Sequence, residues 1–448
     1  MDIMTTTNIY FNYFNFLKVT FIFIFLANIL RAFFKTEVAI LEMFFIFSLL
    51  FLSILYIYNK KIKIDKSAVF YILIFYLLIH FFYATFIRPL EFDISIFDTF
   101  FMNFLEFRLM YIGFLLPLIF IPMLENEQID KVNALVYKLL KFFVILYIAE
   151  QILSQIGFRV IFEYIHTSSG LYDPNIRIPQ RLGIYRGLGV VGHPTWSGLI
   201  SIIAFYYALE KSDKKWVVLS LFSIIFSVTY TAFAILVITL MIYFLHKKYY
   251  LLFIILFSLL SLLFIFTYSF LLYIEDQYMY LDLTNPYYSQ LQFLYAIRDY
   301  FETFTSSLQP DNTRIEGGPL TSLYNYFTNN PLNILFGKGL TYAHLGKTDI
   351  PFSELMVFHT LSSDYGILTF IEQYGVIGFI LLTLVFLVLP LYYIRESNSL
   401  DSYILIMFYL GMMHYTPVTS KLLMMLVGFS VFRFYSTVDQ NLHKNKVL

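Results

Sequence analysis

Cysteine is absent from the 448 residues, which excludes disulfides, thiolate metal sites, iron–sulfur clusters and cysteine nucleophiles. Charge is scarce as well: Asp, Glu, Lys and Arg make up 13% of the chain, against about 25% in ordinary soluble domains. Thirty basic residues balance thirty acidic ones, so net charge points neither to a nucleic-acid partner nor to a basic peripheral membrane binder. The eight His show no His-Glu-x-x-His pattern and the carboxylates no paired spacing. No metal site or other cofactor is expected on these residues.

What the chain has instead is apolar and aromatic: 59% hydrophobic residues and 21% aromatic ones, with 53 Phe and 38 Tyr, and a mean hydropathy of +0.72. Runs of about 20 apolar residues suit membrane-spanning helices, and candidates fall at roughly 9–30, 38–57, 68–87, 104–124, 137–157, 193–209, 249–272, 374–394, 401–418 and 419–436. The N-terminus has neither a basic region nor a small-residue cleavage site, so the first run is read as a retained span. The expected fold is an all-α integral membrane bundle over 1–448.

Lysine distribution resolves the one ambiguous stretch, 216–246, which holds Ser227, Thr229, Tyr230 and Thr231 in its middle. Cytoplasmic loops collect Lys and Arg. Lys60, Lys61, Lys63 and Lys66 mark one such loop, Lys211, Lys214 and Lys215 a second, and Lys247 with Lys248 a third. The chain between the last two must therefore cross and return, as two short passes meeting near Thr229. The count becomes about twelve transmembrane helices with both termini cytoplasmic. Two extracytoplasmic segments follow, 158–192 and a large loop at 273–373. The large loop contains amphipathic runs at Ser289 to Phe304 and Leu320 to Thr328, which either lie on the bilayer surface or close over a cavity.

On this topology nine of the eleven Arg (31, 88, 108, 159, 177, 181, 186, 298 and 314) sit in or beside extracytoplasmic segments, while most of the nineteen Lys are cytoplasmic. Positive-inside bias works against that placement of Arg. The guanidinium is a planar fork suited to bidentate binding of phosphate or carboxylate, so an anionic ligand outside is indicated. A lone interfacial Arg also snorkels to lipid phosphate, which suits Arg177. Arg186 differs: Gly187, Gly189, Gly192, His193 and Pro194 follow it and then an apolar span. A permissive backbone and a helix N-terminus together suit a diphosphate cradle. His193 either caps that helix or serves the ligand. Glu37, Glu42, Glu106 and Glu150 lie near or within spans and are expected to pair with Arg or Lys.

Three motifs then carry a resemblance: Arg186-Gly-Leu-Gly-Val-Val-Gly-His-Pro194, Asn330-Pro-Leu-Asn-Ile-Leu-Phe-Gly-Lys-Gly339, and Ser363-Asp-Tyr-Gly through Gly375-Val-Ile-Gly378 entering a span, with Arg314 in the large loop. In this order and on this side of the membrane, the chain resembles the O-antigen polymerase and O-antigen ligase superfamily of polytopic glycosyltransferases. The resemblance implies an inverting, metal-independent enzyme of the cytoplasmic membrane that moves glycan from an undecaprenyl diphosphate carrier at the outer face. It implies a chain-length regulator and a flippase as protein partners. Arg186 and Arg314 would bind the diphosphate, with Arg181 as a helper.

Where the ligases place a His before the terminal Gly-x-x-Gly, which begins at Gly375, this chain has Asp364. That favours the polymerase branch, with Asp364 as the base and His359 or Glu354 as alternates. Where many relatives have a Ser-Arg pair in the short hairpin of spans, it reads Thr229-Tyr-Thr-Ala232. The rival readings are the ligase, and a polysaccharide flippase or transporter with an anion-binding vestibule.

Overall fold

The computed structural model describes residues 126–168, 180–181, 184–185, 187–227, 229–262, 335–337, 366–395, 399–412 and 420–447, with parts of 14–44 and 76–86. These residues are helical apart from short turns and one two-residue ladder. The helices are α1 (Lys18–Ala27), α2 (Asn126–Leu153), α3 (Arg159–Ser168), α4 (Pro194–Glu210), α5 (Lys214–Phe226), α6 (Tyr230–His246), α7 (Tyr250–Leu262), α8 (Gly366–Thr383), α9 (Leu389–Tyr392), α10 (Ser399–Met412) and α11 (Lys421–Val447). Strands β1 (Gln180–Arg181) and β2 (Ile184–Tyr185) pair antiparallel, Gln180 opposite Tyr185. Two helical stretches, Glu127–Ile165 and Tyr374–Tyr392, are long and apolar enough to cross a membrane, and α1, α6, α7, α10 and much of α11 are shorter apolar helices. The expected twelve-span count and the 273–373 loop fall largely outside the described residues.

Helix α4 is the hub. Fourteen of its seventeen residues are buried, as a helix apolar on every side must be, and α2, α5, α6, α10 and α11 pack around it. Small residues set the closest approach: a Cβ on Gly198 would lie 2.5 Å from the Cβ of Ala232, so α4 and α6 touch almost backbone to backbone. Ser201 Oγ lies 2.7 Å from Ser223 Oγ, which ties α4 to α5.

The 216–246 stretch is a hairpin, as the lysines required. Helix α5 ends at Phe226, Thr229 is extended (φ −114°, ψ 119°), and α6 begins at Tyr230. The Ser227 and Thr229 hydroxyls are 2.8 Å apart at the tip. The lysine turns lie at a common end of the bundle, because Tyr206 near the end of α4 and Tyr243 near the end of α6 both pack on Tyr403 at the start of α10, with ring centroids at 5.1 and 5.6 Å. At this lysine end Asp213 accepts from Lys141 Nζ at 3.0 Å and from Tyr137 Oη at 3.1 Å. Lys141 holds the Asp213 carboxyl below the ordinary aspartate range, against a smaller opposing effect of burial.

Two helices contain π turns, each with a local cause. Gly157 (φ +108°) interrupts the path from α2 to α3 within Ser154–Phe158, redirecting α3 with its Arg159–Glu163 ion pair of 2.7 Å. The second, Leu384–Val388, precedes Pro390, whose ring would collide with the carbonyl four residues back. The widened turn lets Leu389 N–H reach Leu384, and the Val385 carbonyl is taken by the Tyr435 hydroxyl at 3.1 Å.

A buried ion pair closes the lysine end. Asp401 is fully buried, and Arg433 Nε lies 3.2 Å from its Oδ2. Arg433 Nη1 also donates to Asn133 Oδ1 at 2.6 Å and Tyr207 Oη at 3.3 Å, joining α10, α11, α2 and α4. Removing one partner leaves the other charge buried alone, which costs about 3–5 kcal/mol, whereas an apolar replacement of both is often neutral. Arg433→Met is therefore expected to lower thermal stability sharply, and Asp401→Leu combined with Arg433→Met to recover most of the loss, as read by melting in detergent.

Candidate substrate-binding site

The Gly187–Gly192 turn is bolted to α2 at the end of the bundle opposite the lysines. Glu150 accepts the Leu188 N–H at 2.8 Å and the Gly189 N–H at 2.9 Å, one on each carboxylate oxygen. Tyr147 Oη donates to the Gly187 carbonyl at 3.0 Å. The Leu188 carbonyl receives Ser197 Oγ at 2.8 Å and the His193 N–H at 2.9 Å. Gly189 requires its φ of +64°, and a Cβ there would lie 2.3 Å from Ser197 Oγ. Val190 and Val191 sink into the core.

The same contacts bear on two expectations. Besides any cationic partner, Glu150 accepts from two backbone amides of the turn. The turn is thus not an open anion cradle, because two of its N–H groups already hold an anion from the chain itself. The N-terminus of α4 is likewise occupied: His193 is its N-cap, with Nδ1 accepting the Thr195 N–H at 3.2 Å and its ring 4.6 Å from Trp196. Pro194 fills the first helical position, where its missing N–H costs nothing. The capping role for His193 is therefore the observed one.

Two other motifs meet in space. Leu335, Phe336 and Gly337 lie against the start of the 374–394 span. Gly375 breaks α8 with φ +69° and ψ 178°, a region open essentially to glycine alone. A Cβ at Gly375 would fall 2.2 Å from the Leu335 carbonyl oxygen and 2.7 Å from Gly337 N. Tyr76 staples the joint, its hydroxyl donating to the carbonyls of Leu335, at 3.2 Å, and of Tyr374. Gly378 faces the same Tyr76 ring. Buried His80 stacks on Tyr374 at 4.8 Å, and Tyr83 lies 5.5 Å from Phe336.

Of the residues singled out in the sequence, Arg181 has its backbone in β1. Arg186, Arg314, His359, Asp364, Arg177 and Glu354 lie outside the described residues, as do Glu37, Glu42 and Glu106. In the hairpin, Ala232 is fully buried against Gly198. The sequence reading missed Tyr76, His80 and Gln151. The first two are single polar residues in an apolar run with no motif around them, and Gln151 is marked only by following Glu150. Among the described residues no cluster of His, Asp and Glu could hold a metal ion. No family model, curated protein or solved structure matches the chain.

Two substitutions test the two joints. Glu150→Gln replaces one accepting oxygen by a donor, leaving one turn N–H unmet at a cost of about 1–3 kcal/mol. Gly375→Ala forces Leu335 away and adds backbone strain of about 1–3 kcal/mol. Both are expected to lower the melting temperature of the detergent-solubilised protein, while Gly378→Ala, met by side-chain atoms of Tyr374 and Tyr76, should cost less than Gly375→Ala.

Proposed function

We propose that the chain is a membrane glycosyltransferase that polymerises undecaprenyl-diphosphate-linked oligosaccharide repeats at the outer face of the cytoplasmic membrane. The observation that carries this reading is the joint between the Leu335–Gly337 and Gly375–Gly378 segments. Two motifs that resemble the superfamily, far apart in the chain, belong to one structural unit. The anchored turn that begins directly after Arg186 is a second support. The apolar residues exposed along α7, such as Leu251 and Leu262, suit a lipid-facing surface.

In this reading an acceptor hydroxyl attacks the anomeric carbon of the donor. The new C–O bond forms as the bond to diphosphate breaks, and undecaprenyl diphosphate departs with the bonding pair. Asp364 takes the hydroxyl proton, with His359 or Glu354 as alternates. Arg186 and Arg314, helped by Arg181, neutralise charge gathering on the leaving diphosphate. Diphosphate is already a good leaving group, so arginine forks suffice for this task. The lysine turns face the cytoplasm and the glycine turn the outside.

Purified protein in vesicles is expected to convert lipid-diphosphate repeats into longer glycan without ATP or an ion gradient. Arg186→Ala and Arg314→Ala should each abolish polymer at normal expression, and Lys at either position should rescue poorly. Asp364→Asn against His359→Ala identifies the base, since only one should be near-silent. Full activity in either Arg→Ala variant would overturn the diphosphate assignment. Polymer left on its carrier but missing from an acceptor in a deletion strain would instead mark a ligase, and repeats moved across the membrane without elongation a transporter.

A further inference from the structure

Gln151 is 2% exposed, yet neither its amide nitrogen nor its amide oxygen has a hydrogen-bond partner. Ser154, less than one turn further along, is 6% exposed, and its hydroxyl also has none. Both conditions are uncommon, because buried polar groups are nearly always paired and an unpaired one costs about 1–3 kcal/mol. Helical hydroxyls usually solve the problem locally, as Ser201, Thr239 and Thr383 do by donating to the carbonyl four residues back. Tyr206, Ser220 and Ser430 hold single open hydroxyls elsewhere among the described residues. Trp196 Nε1 is also open, as are both oxygens of the ion-paired Asp401, so Gln151 is the uncharged side chain among the described residues that leaves two polar atoms open.

Its position is as informative as its chemistry. The amide abuts Gly187, where a Cβ would lie 2.5 Å from Nε2. Gly187 directly follows Arg186 in the chain. Glu150, the preceding residue on α2, holds the next two amides of the same turn. Ser154 opens the π turn that Gly157 interrupts, and such turns recur at functional sites. A neutral, unsatisfied amide thus abuts Gly187, the residue that follows the favoured diphosphate arginine in the chain.

We propose that Gln151, supported by Ser154, binds the sugar directly attached to the diphosphate of the lipid-linked donor. This rests on the polymerase reading. An amide offers a donor and an acceptor at one planar end, which matches two neighbouring sugar substituents, either two hydroxyls or a hydroxyl and an acetamido group. It carries no charge for phosphate, so the site divides its work: guanidinium for the diphosphate, amide and hydroxyl for the first sugar. Binding the sugar satisfies the open groups, so discrimination comes from the unpaired amide left behind when the sugar is absent.

The test uses full-length protein in detergent and two probes, undecaprenyl diphosphate and undecaprenyl diphosphate carrying one N-acetylhexosamine. Gln151→Leu keeps the side-chain bulk and removes a group with no protein partner, so the melting temperature should stay level or rise. Its affinity for the sugar-bearing probe should fall at least tenfold while its affinity for the bare diphosphate is unchanged. Ser154→Ala should follow in the same direction with a smaller loss. Unchanged affinity for the sugar-bearing probe would overturn the proposal, as would equal loss for both probes or a lower melting temperature. Wild-type protein that binds neither probe would overturn the polymerase reading itself, a result distinct from these.

Discussion

A carboxylate buried in an apolar bundle must find donors, and Glu150 finds two backbone N–H groups of a glycine turn. Much of the arrangement at that end follows from this requirement. Charged acceptors make stronger hydrogen bonds than neutral ones, so the pair fixes the turn on α2 without any side chain from the turn itself. Tyr147 and Ser197 hold the adjoining carbonyls from α2 and α4. The turn is therefore gripped from both helices, and the direction in which α4 begins is set with the help of α2.

The opposite end meets the same demand in another way. Asp401 and Arg433 form a buried ion pair, and Arg433 also donates to Asn133 and Tyr207. Four helices converge on one guanidinium. A planar, permanently charged fork can serve several acceptors at fixed angles, which a lysine ammonium could not reproduce. Aromatic packing of Tyr206, Tyr243 and Tyr403 backs the lysine end, and away from it the contacts around α4 depend on small residues such as Gly198 and Ala232. The specificity of the bundle thus lies at its ends, where each polar group accepts few alternatives, and its middle can remain nearly uniform in hydrophobicity.

Hydropathy and lysine placement located much of this fold, because spans and turns leave strong one-dimensional signals. The hairpin at Thr229 followed from the lysines on either side of it. Partners distant in sequence left none: Asp401 and Arg433 read as two isolated charges, and nothing marks Tyr76 as the staple between Leu335 and Tyr374. Gly375 was visible as a motif residue, but its reason, a carbonyl 2.2 Å from where a Cβ would stand, exists only in three dimensions. Glu150 was noticed for its charge, but its two backbone partners were not, since pattern reading pairs charges with charges and overlooks backbone amides. His193 was readable as a cap from Pro194 after it, because capping is local.

The occupation of the turn by Glu150 also bears on the proposed binding of diphosphate. A glycine turn opening onto a helix can bind phosphate with backbone N–H groups alone, and it would then need few cations. Here the chain's own carboxylate takes two of those amides and brings a negative charge to the same place. In the proposed reaction, a diphosphate approaching this turn meets a repulsive carboxylate unless side chains supply the compensating charge. Under that proposal Arg186, which precedes the turn in the chain, and Arg314 would supply such charge. The carboxylate gives rigidity to the backbone after Arg186 and raises the positive charge the site must carry. On the proposed topology, that demand would offset the ordinary positive-inside bias.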